Sequence, residues 1–206
     1  MAFKKILSST VGKKIGMACT GLLLYGFLVA HLAGNLLLFQ GGEAFNAYAD
    51  FLAGQPLLVP AELFLLAVLV LHIFLAVSTA RDNRRARPVG YRRLRAVGGR
   101  NWASSTMIYS GALIFVFIVV HLWTFKYGDR GGGTLYDLVM AKFQMPLYTG
   151  FYVAAMVLLG FHLWHALQSA LQSLGLVSKT FKKASIVLSV VLAGGFGLIP
   201  LWAFLQ

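Results

Sequence analysis

Cysteine and acidic residues are scarce in this 206-residue chain, which has one cysteine, Cys19, and six aspartates and glutamates. One thiol cannot form an internal disulfide, nor supply the four thiolates that an iron–sulfur cluster requires. Charged residues make up only 12% of the chain, whereas 59% of it is hydrophobic and its mean hydropathy is +0.76. Soluble domains are about 45–50% apolar. These shortages exclude an ordinary soluble domain and predict a membrane protein.

Basic residues outnumber acidic ones by eighteen to six, which gives a net charge of +12. Such a charge is also typical of proteins that bind nucleic acids. Here the lysines and arginines cluster beside apolar segments, where the orientation of the chain in a membrane explains them better. We therefore expect no nucleic-acid partner.

Five apolar runs divide the chain, and a bilayer core requires about 20 residues of helix. Closed β-barrels use alternating segments of about ten residues, so continuous runs of this length predict helices. No linker is long enough to separate domains, and no internal repeat is obvious. The sequence predicts an all-α membrane protein, a single bundle over 1–206 with transmembrane helices at 15–39, 57–80, 102–125, 146–174 and 184–205.

The distribution of positive charge predicts the orientation of this bundle. Four lysines precede the first run, as in signal peptides, but that run is too long for a signal sequence, so we expect it to be retained. No lysine or arginine lies between the first two runs or after the last one. By the positive-inside rule the N-terminus is cytoplasmic and the C-terminus outside. The second connection carries eight arginines: Arg81, Arg84, Arg85, Arg87, Arg92, Arg93, Arg95 and Arg100.

Each of the first four runs contains a histidine, namely His31, His72, His121 and His162. Ionisable side chains within a membrane are costly and indicate functional sites by default. At 1.5 Å per residue, His31 and His121 lie about 21 and 28 Å from the cytoplasmic ends of their helices. His72 and His162 lie about 12 and 18 Å from those ends. The depths therefore predict an outer pair, His31 with His121, and an inner pair, His72 with His162.

Paired imidazoles from separate helices are what a b-type haem requires, because its axial ligands approach the iron from opposite faces. Two such pairs predict a two-haem path across the membrane. A zinc site would gather three or four ligands at one depth with short spacings, and only His162 and His165 are close in sequence. Proton relay and hydrogen-bonded packing of the histidines are the alternatives. Depth alone favours His165, one turn nearer the cytoplasm, as the partner of His72.

Five motifs surround these residues: FLVAHLAGN at His31, GGEAFNAYADFL after it, VLHIFLAV at His72, IVVHLW at His121 and GFHLWHALQSALQSLG at His162. Together they resemble the dihaem, five-helix cytochrome b membrane anchor of succinate dehydrogenases and fumarate reductases, the single-anchor type. The resemblance covers most of the chain. It pairs the first helix with the third and the second with the fourth, and it favours His162, which follows an aromatic residue as the family's ligand does. His165 would then contact a haem propionate, line the haem pocket or only face the headgroup boundary.

The resemblance implies a subunit of the bacterial cytoplasmic membrane. It would carry electrons through two haems b between a cytoplasmic iron–sulfur subunit, with its flavoprotein, and a membrane quinone. The family also implies menaquinone near the outer haem. The chain has no nucleotide-binding fingerprint and no cluster cysteines, so it oxidises no dicarboxylate by itself. The direction of electron flow, succinate oxidation or fumarate reduction, stays open because it depends on the quinone and haem potentials.

Quinone reduction needs protons, so the quinone site should hold a titratable group near a haem and near water. Glu43, in the outer connection after the first run, is the first candidate. Asp50 is the second, and Asn46 is a candidate hydrogen-bond partner for a quinone carbonyl. The alternative is that these exposed carboxylates are only solvated.

Arg81 and Arg84, just after the second run, are candidates for pairing with propionates of the inner haem, because guanidinium binds carboxylate bidentately. The arginine connection and the segment 179–183 either dock the iron–sulfur subunit or only bind anionic lipid. Gly34 and Gly160 leave room either for a flat macrocycle or for close helix packing.

Two further functions fit parts of the sequence. A quinol-oxidising cytochrome b of a nitrate reductase or formate dehydrogenase also uses membrane histidines, although with other spacings and without the EAFN segment. A haem-free transporter or assembly subunit would use the histidines for proton relay. Transporters often contain inverted repeats with broken helices, and no such symmetry is visible in the sequence.

Overall fold

Five helices long and apolar enough to cross a membrane make up most of the computed structural model. It describes residues 9–86 and 102–206, with 102–105 described by their backbone only. The predicted number of spans is confirmed, and no strand occurs in these ranges. In chain order the helices are α1 (Thr10–Asn35), α2 (Gly42–Ala53), α3 (Leu58–Arg85), α4 (Trp102–His121), α5 (Leu135–Phe143), α6 (Pro146–Ser173) and α7 (Lys179–Phe204).

Several membrane helices extend beyond their apolar runs at the end that carries the basic residues. α1 begins at Thr10, where the Ser9 hydroxyl accepts a hydrogen bond from the Gly12 amide, and α3 continues to Arg85. The ammonium group of Lys13 contacts Asp82 at 2.6 Å, which ties the start of α1 to the end of α3. Long basic side chains keep their charge in water while their stems cover apolar surface, so they do not stop a helix there. We call this the basic end.

Part of the charged surface that the sequence places at the basic end lies outside the described residues. This applies to Lys4 and Lys5 and to five of the eight arginines, namely Arg87, Arg92, Arg93, Arg95 and Arg100. The start of the predicted third span at residue 102 is described by its backbone alone.

At the opposite end, α2 and α5 form a short layer in connections for which the sequence predicts no helix. Gly41, with a φ of 99°, turns the chain into α2, a conformation that glycine adopts without steric cost. α5 begins with a capping box between Thr134 and Asp137. The two helices meet where the Asn46 side-chain oxygen accepts a hydrogen bond from the Tyr136 amide at 3.1 Å.

The membrane helices pack around a central pair, α1 and α6. α3 packs on α1, α4 packs on α6, and α7 covers the other side of α6 and part of α1. Within the described residues, α1 shares no extensive contact with α4, nor α3 with α6. Helices α1, α3, α4 and α6 therefore form a four-helix bundle in which α1 faces α4, and α3 faces α6, across its interior.

Candidate functional site

His31 and His121 face each other across the bundle. Their ring centres are 5.8 Å apart and their ring planes stand at 89°. Phe27 stacks on His31 at 5.2 Å, and Phe117 stacks on His121 at 5.8 Å, each from one turn earlier on the same helix. The structure thus brings this predicted pair together inside an aromatic shell.

The polar contacts of this pair come from α6 and from the end of α1. The Tyr152 hydroxyl lies 3.2 Å from Nδ1 of His121 and accepts a hydrogen bond from the Tyr148 hydroxyl, also at 3.2 Å. Asn35 donates to the His31 backbone oxygen at 2.8 Å, and its amide nitrogen lies 3.5 Å from each nitrogen of the His31 ring. A π turn, Leu122–Lys126, directly follows His121. Such turns occur frequently at functional sites.

His72 and His162, the predicted inner pair, each contact a hydroxyl group on another helix of the bundle. Nδ1 of His72 lies 3.0 Å from the Thr20 hydroxyl of α1, and Nδ1 of His162 lies 3.0 Å from the Ser110 hydroxyl of α4. Thr20 and Ser110 are each eleven residues before the histidine of the other pair on their helix. Eleven residues of helix measure about 16 Å. The two pairs therefore lie at two levels of the bundle, about 16 Å apart.

The separation of the His31 and His121 rings can be compared with that of two imidazoles that bind one metal ion. A metal–imidazole nitrogen bond is about 2.0–2.1 Å long, and a ring centre lies about 1 Å beyond its nitrogen, so two rings that shared one metal ion from opposite sides would have centres about 6 Å apart. The observed 5.8 Å matches this separation. Each pair also comes from facing helices, so its two rings approach from opposite sides. These imidazoles would suit a group held between two histidines.

His165 lies beside His162 but makes different contacts. Its Nδ1 is buried without a hydrogen-bond partner among the described residues, as are Nε1 of Trp164 and the Thr79 hydroxyl. All three lie on the basic-end side of His72 and His162 in sequence. Buried polar atoms are almost always paired, so unpaired ones indicate a partner outside the described residues. Neither Trp164 nor Thr79 is predicted as a site residue from the sequence.

Arg81 and Arg84 are both exposed at the end of α3. Arg81, with Lys13, Asp82 and Arg85, lines an open cavity of about 320 Å³ at the basic end. This position is further from the histidine pair than His165 is, since Arg81 lies nine residues beyond His72.

Glu43, Asn46 and Asp50 all lie on α2, a helix rather than the predicted open connection. Glu43 occupies its first turn, where the helix dipole favours a negative charge. Both carboxylates are exposed, whereas the Asn46 oxygen is already bonded to the Tyr136 amide. A quinone carbonyl would therefore have to bind the Asn46 amide nitrogen.

Gly34 and Gly160 permit close packing of side chains. A Cβ on Gly34 would lie 2.6 Å from the Tyr48 ring, and one on Gly160 would lie 3.0 Å from the Ala193 Cβ of α7. The glycines that face histidines are different ones. A Cβ on Gly21 would lie 3.2 Å from Cε1 of His72, and one on Gly111 would lie 3.5 Å from Cε1 of His162.

Compared with protein-family models, with curated proteins and with solved structures, the chain matches none of them.

Proposed function

We propose that this chain is the dihaem cytochrome b membrane anchor of a succinate:quinone oxidoreductase or quinol:fumarate reductase. The observation that carries the proposal is the placement of four membrane histidines at two levels on facing helices of one bundle, with the ring centres of His31 and His121 5.8 Å apart. Proton relay along a path or packing by single histidines requires no such facing pairs. The motifs around the histidines, which resemble this family, supply the identity of the complex.

His31 and His121 would hold the outer haem, and His72 and His162 the inner one. When bound, each haem supplies a one-electron carrier whose potential depends on its ligands and its burial. The chain's own residues position the imidazoles and exclude water. Phe27 covers one face of the His31 ring. Lys13 and Asp82 hold α1 and α3 together at the basic end.

The buried polar atoms near His162 support a carboxylate-bearing group at the inner level. Trp164 Nε1 is only a donor, and His165 Nδ1 can donate as well, so both suit propionate oxygens. We therefore place His165 beside the inner haem as a propionate contact. Arg81 and Arg84, further along α3, are secondary candidates for the same role.

The basic end would face the cytoplasm, with the N-terminus inside and the C-terminus outside a bacterial cytoplasmic membrane. Its exposed arginines and lysines would dock an iron–sulfur subunit that receives electrons from, or returns them to, a flavoprotein. The same charges also suit anionic lipid headgroups. Quinone, with menaquinone as the expected type, would bind at the opposite end beside α2. There Glu43, or Asp50 after it, would exchange protons with water.

The haem content of the purified full-length chain tests the proposal. A dithionite-reduced minus oxidised visible spectrum should show a b-type cytochrome, and a pyridine haemochrome assay should count two haems per chain. Absence of haem, or one haem with all four histidines intact, would contradict the proposal. A haem-free chain would favour the transporter or assembly alternative.

Replacing Glu43 with glutamine tests the quinone site. The change removes the titratable proton while keeping the size of the side chain, so we expect quinone turnover by the complex to fall at least tenfold while both haem spectra stay unchanged. Asp50→Asn is the matched comparison on the same helix. Unchanged turnover in Glu43→Gln would remove Glu43 from the site.

A further inference from the structure

The two halves of the bundle correspond to each other residue by residue, although no repeat is obvious in the sequence. Residues 90 positions apart occupy matching places: His31 matches His121, and His72 matches His162. Phe27 and Phe117 match as well, and each stacks on the histidine that follows it. The repeat is direct rather than inverted, so α1 and α3 correspond to α4 and α6.

The same 90-residue relation holds for two hydroxyl groups. Thr20 and Ser110 are buried, and each is followed by a glycine that packs against Cε1 of a histidine. Each hydroxyl lies 3.0 Å from Nδ1 of the histidine 52 residues later, His72 for Thr20 and His162 for Ser110. An incidental packing contact has no reason to recur in both halves with the same spacing.

The direction of these hydrogen bonds follows from how each hydroxyl uses its single proton. The Thr20 hydroxyl donates to the backbone oxygens of Gly16 and Met17 at 2.9 and 3.1 Å. The Ser110 hydroxyl donates to the Met107 backbone oxygen at 3.1 Å. A hydroxyl has one proton and two lone pairs, so an oxygen whose proton is directed at the backbone can accept from the imidazole. Nδ1 then carries the ring proton, and Nε2 has a free lone pair.

We propose that Thr20 and Ser110 are positioning residues that hold His72 and His162 with Nδ1 protonated and Nε2 free to bind the inner haem iron. This inference rests on the proposed function. Hydrogen bonding of the second ring nitrogen fixes the tautomer and orientation of a metal-binding histidine and raises its basicity. More basic ligands favour ferric iron, so the two hydroxyls lower the potential of the inner haem. At the outer level the hydroxyl beside His121 belongs to Tyr152, which accepts a hydrogen bond from the Tyr148 hydroxyl.

The test compares variants with and without the hydroxyl in the full-length, haem-loaded chain. Thr20→Val and Ser110→Ala remove the hydroxyl, whereas Thr20→Ser and Ser110→Thr keep it. Ser185→Ala removes a buried hydroxyl on α7 that donates to the Lys182 backbone oxygen and serves as the matched control. The readouts are the midpoint potential of each haem in an optical redox titration and the low-temperature electron paramagnetic resonance signal of each ferric haem.

Thr20→Val and Ser110→Ala should each raise the potential and change the resonance signal of one haem. That haem should be the one missing from His162→Ala, and the other haem should not change. Thr20→Ser, Ser110→Thr and Ser185→Ala should behave as the unmodified chain does. Two haems with unchanged potentials and signals in the hydroxyl-free variants would overturn this inference alone. Equal loss of the inner haem in Thr20→Val and Thr20→Ser would also overturn it, because packing would then be the cause. An unmodified chain without haem would overturn the proposed function together with it.

Discussion

At the scale of single residues, the proposal for Thr20 and Ser110 concerns which ring nitrogen of His72 and His162 is available. For His72 and His162 the answer follows from hydroxyls that have already used their proton on the backbone. Sequence spacing identified the histidines but not Thr20 or Ser110. A threonine or serine followed by glycine is too common to indicate a ligand contact before the helices are packed together. The signal that would have found them is their common spacing of 52 residues from a histidine.

His162 and His165 make contrasting predictions for haem binding. His162 contacts the Ser110 hydroxyl, whereas His165 Nδ1 has no partner in the described part of the chain. We expect His162→Ala to lose one of two haems and His165→Ala to keep both, as counted by pyridine haemochrome. Loss of a haem only in His165→Ala would reverse the assignment of the inner ligand.

At the scale of helices, the apolar runs predicted the number and type of the membrane spans. They did not predict where each helix ends, because lysine and arginine side chains can reach water from inside a helix. They also did not predict α2 and α5, which are too short to span a membrane, with 12 and 9 residues, and which bury apolar side chains against the rest of the bundle. Phe45 of α2 and Phe143 of α5, for example, are both buried in the common core.

The start of α5 should depend on the ionisation of Asp137. Hydrogen bonds from the Thr134 hydroxyl and amide to its carboxylate hold the pKa of Asp137 below its ordinary 3.8. The capping contribution is therefore present above the ordinary value and lost as the pH falls through the lowered one. Hydrogen exchange of peptide 135–143 should show lower protection in Asp137→Asn at neutral pH than in the unmodified chain. Equal protection in the two proteins would show that the carboxylate does not cap α5.

Packing of α6 on α7 depends on Gly160, whose missing Cβ would lie 3.0 Å from Ala193. Gly160→Leu should overpack this contact at a cost of about 1–3 kcal/mol and lower the melting temperature. Gly150→Leu is the matched control, since that glycine on the same helix is exposed and its Cβ would meet nothing within 4 Å. Equal melting temperatures for the two variants would show that the contact does not constrain the helices.

At the scale of the whole molecule, charge and packing agree on two distinct ends. One end carries Lys13, Arg85 and the start of α7 at Lys179, whereas the other is covered by α2 and α5. The proposed function gives each end a task, with the iron–sulfur partner at the first and quinone at the second. The two histidine levels lie between these ends. Under the proposed function, electrons would therefore pass between the iron–sulfur partner and quinone by way of both levels.

The orientation of the bundle is testable by thiol labelling in intact cells. In a Cys19→Ser background, Arg130→Cys should react with a membrane-impermeant maleimide, because the loop before α5 is expected outside. Val177→Cys, exposed between α6 and α7 at the basic end, should react only after the cells are opened. Labelling of Val177→Cys in intact cells would reverse the predicted topology.

The sequence by itself determined that this is a helical membrane protein with five spans and a histidine in each of the first four. Apolar run length and the cost of ionisable groups in lipid depend on local composition, which can be read directly from the sequence. Only the tertiary structure decided which side chains meet. Contacts between residues far apart in the chain make α1 face α4 and α3 face α6. The same kind of contact brings hydroxyl groups to His72 and His162 and uses Gly34 and Gly160 for packing. Such contacts follow from how whole helices pack against one another.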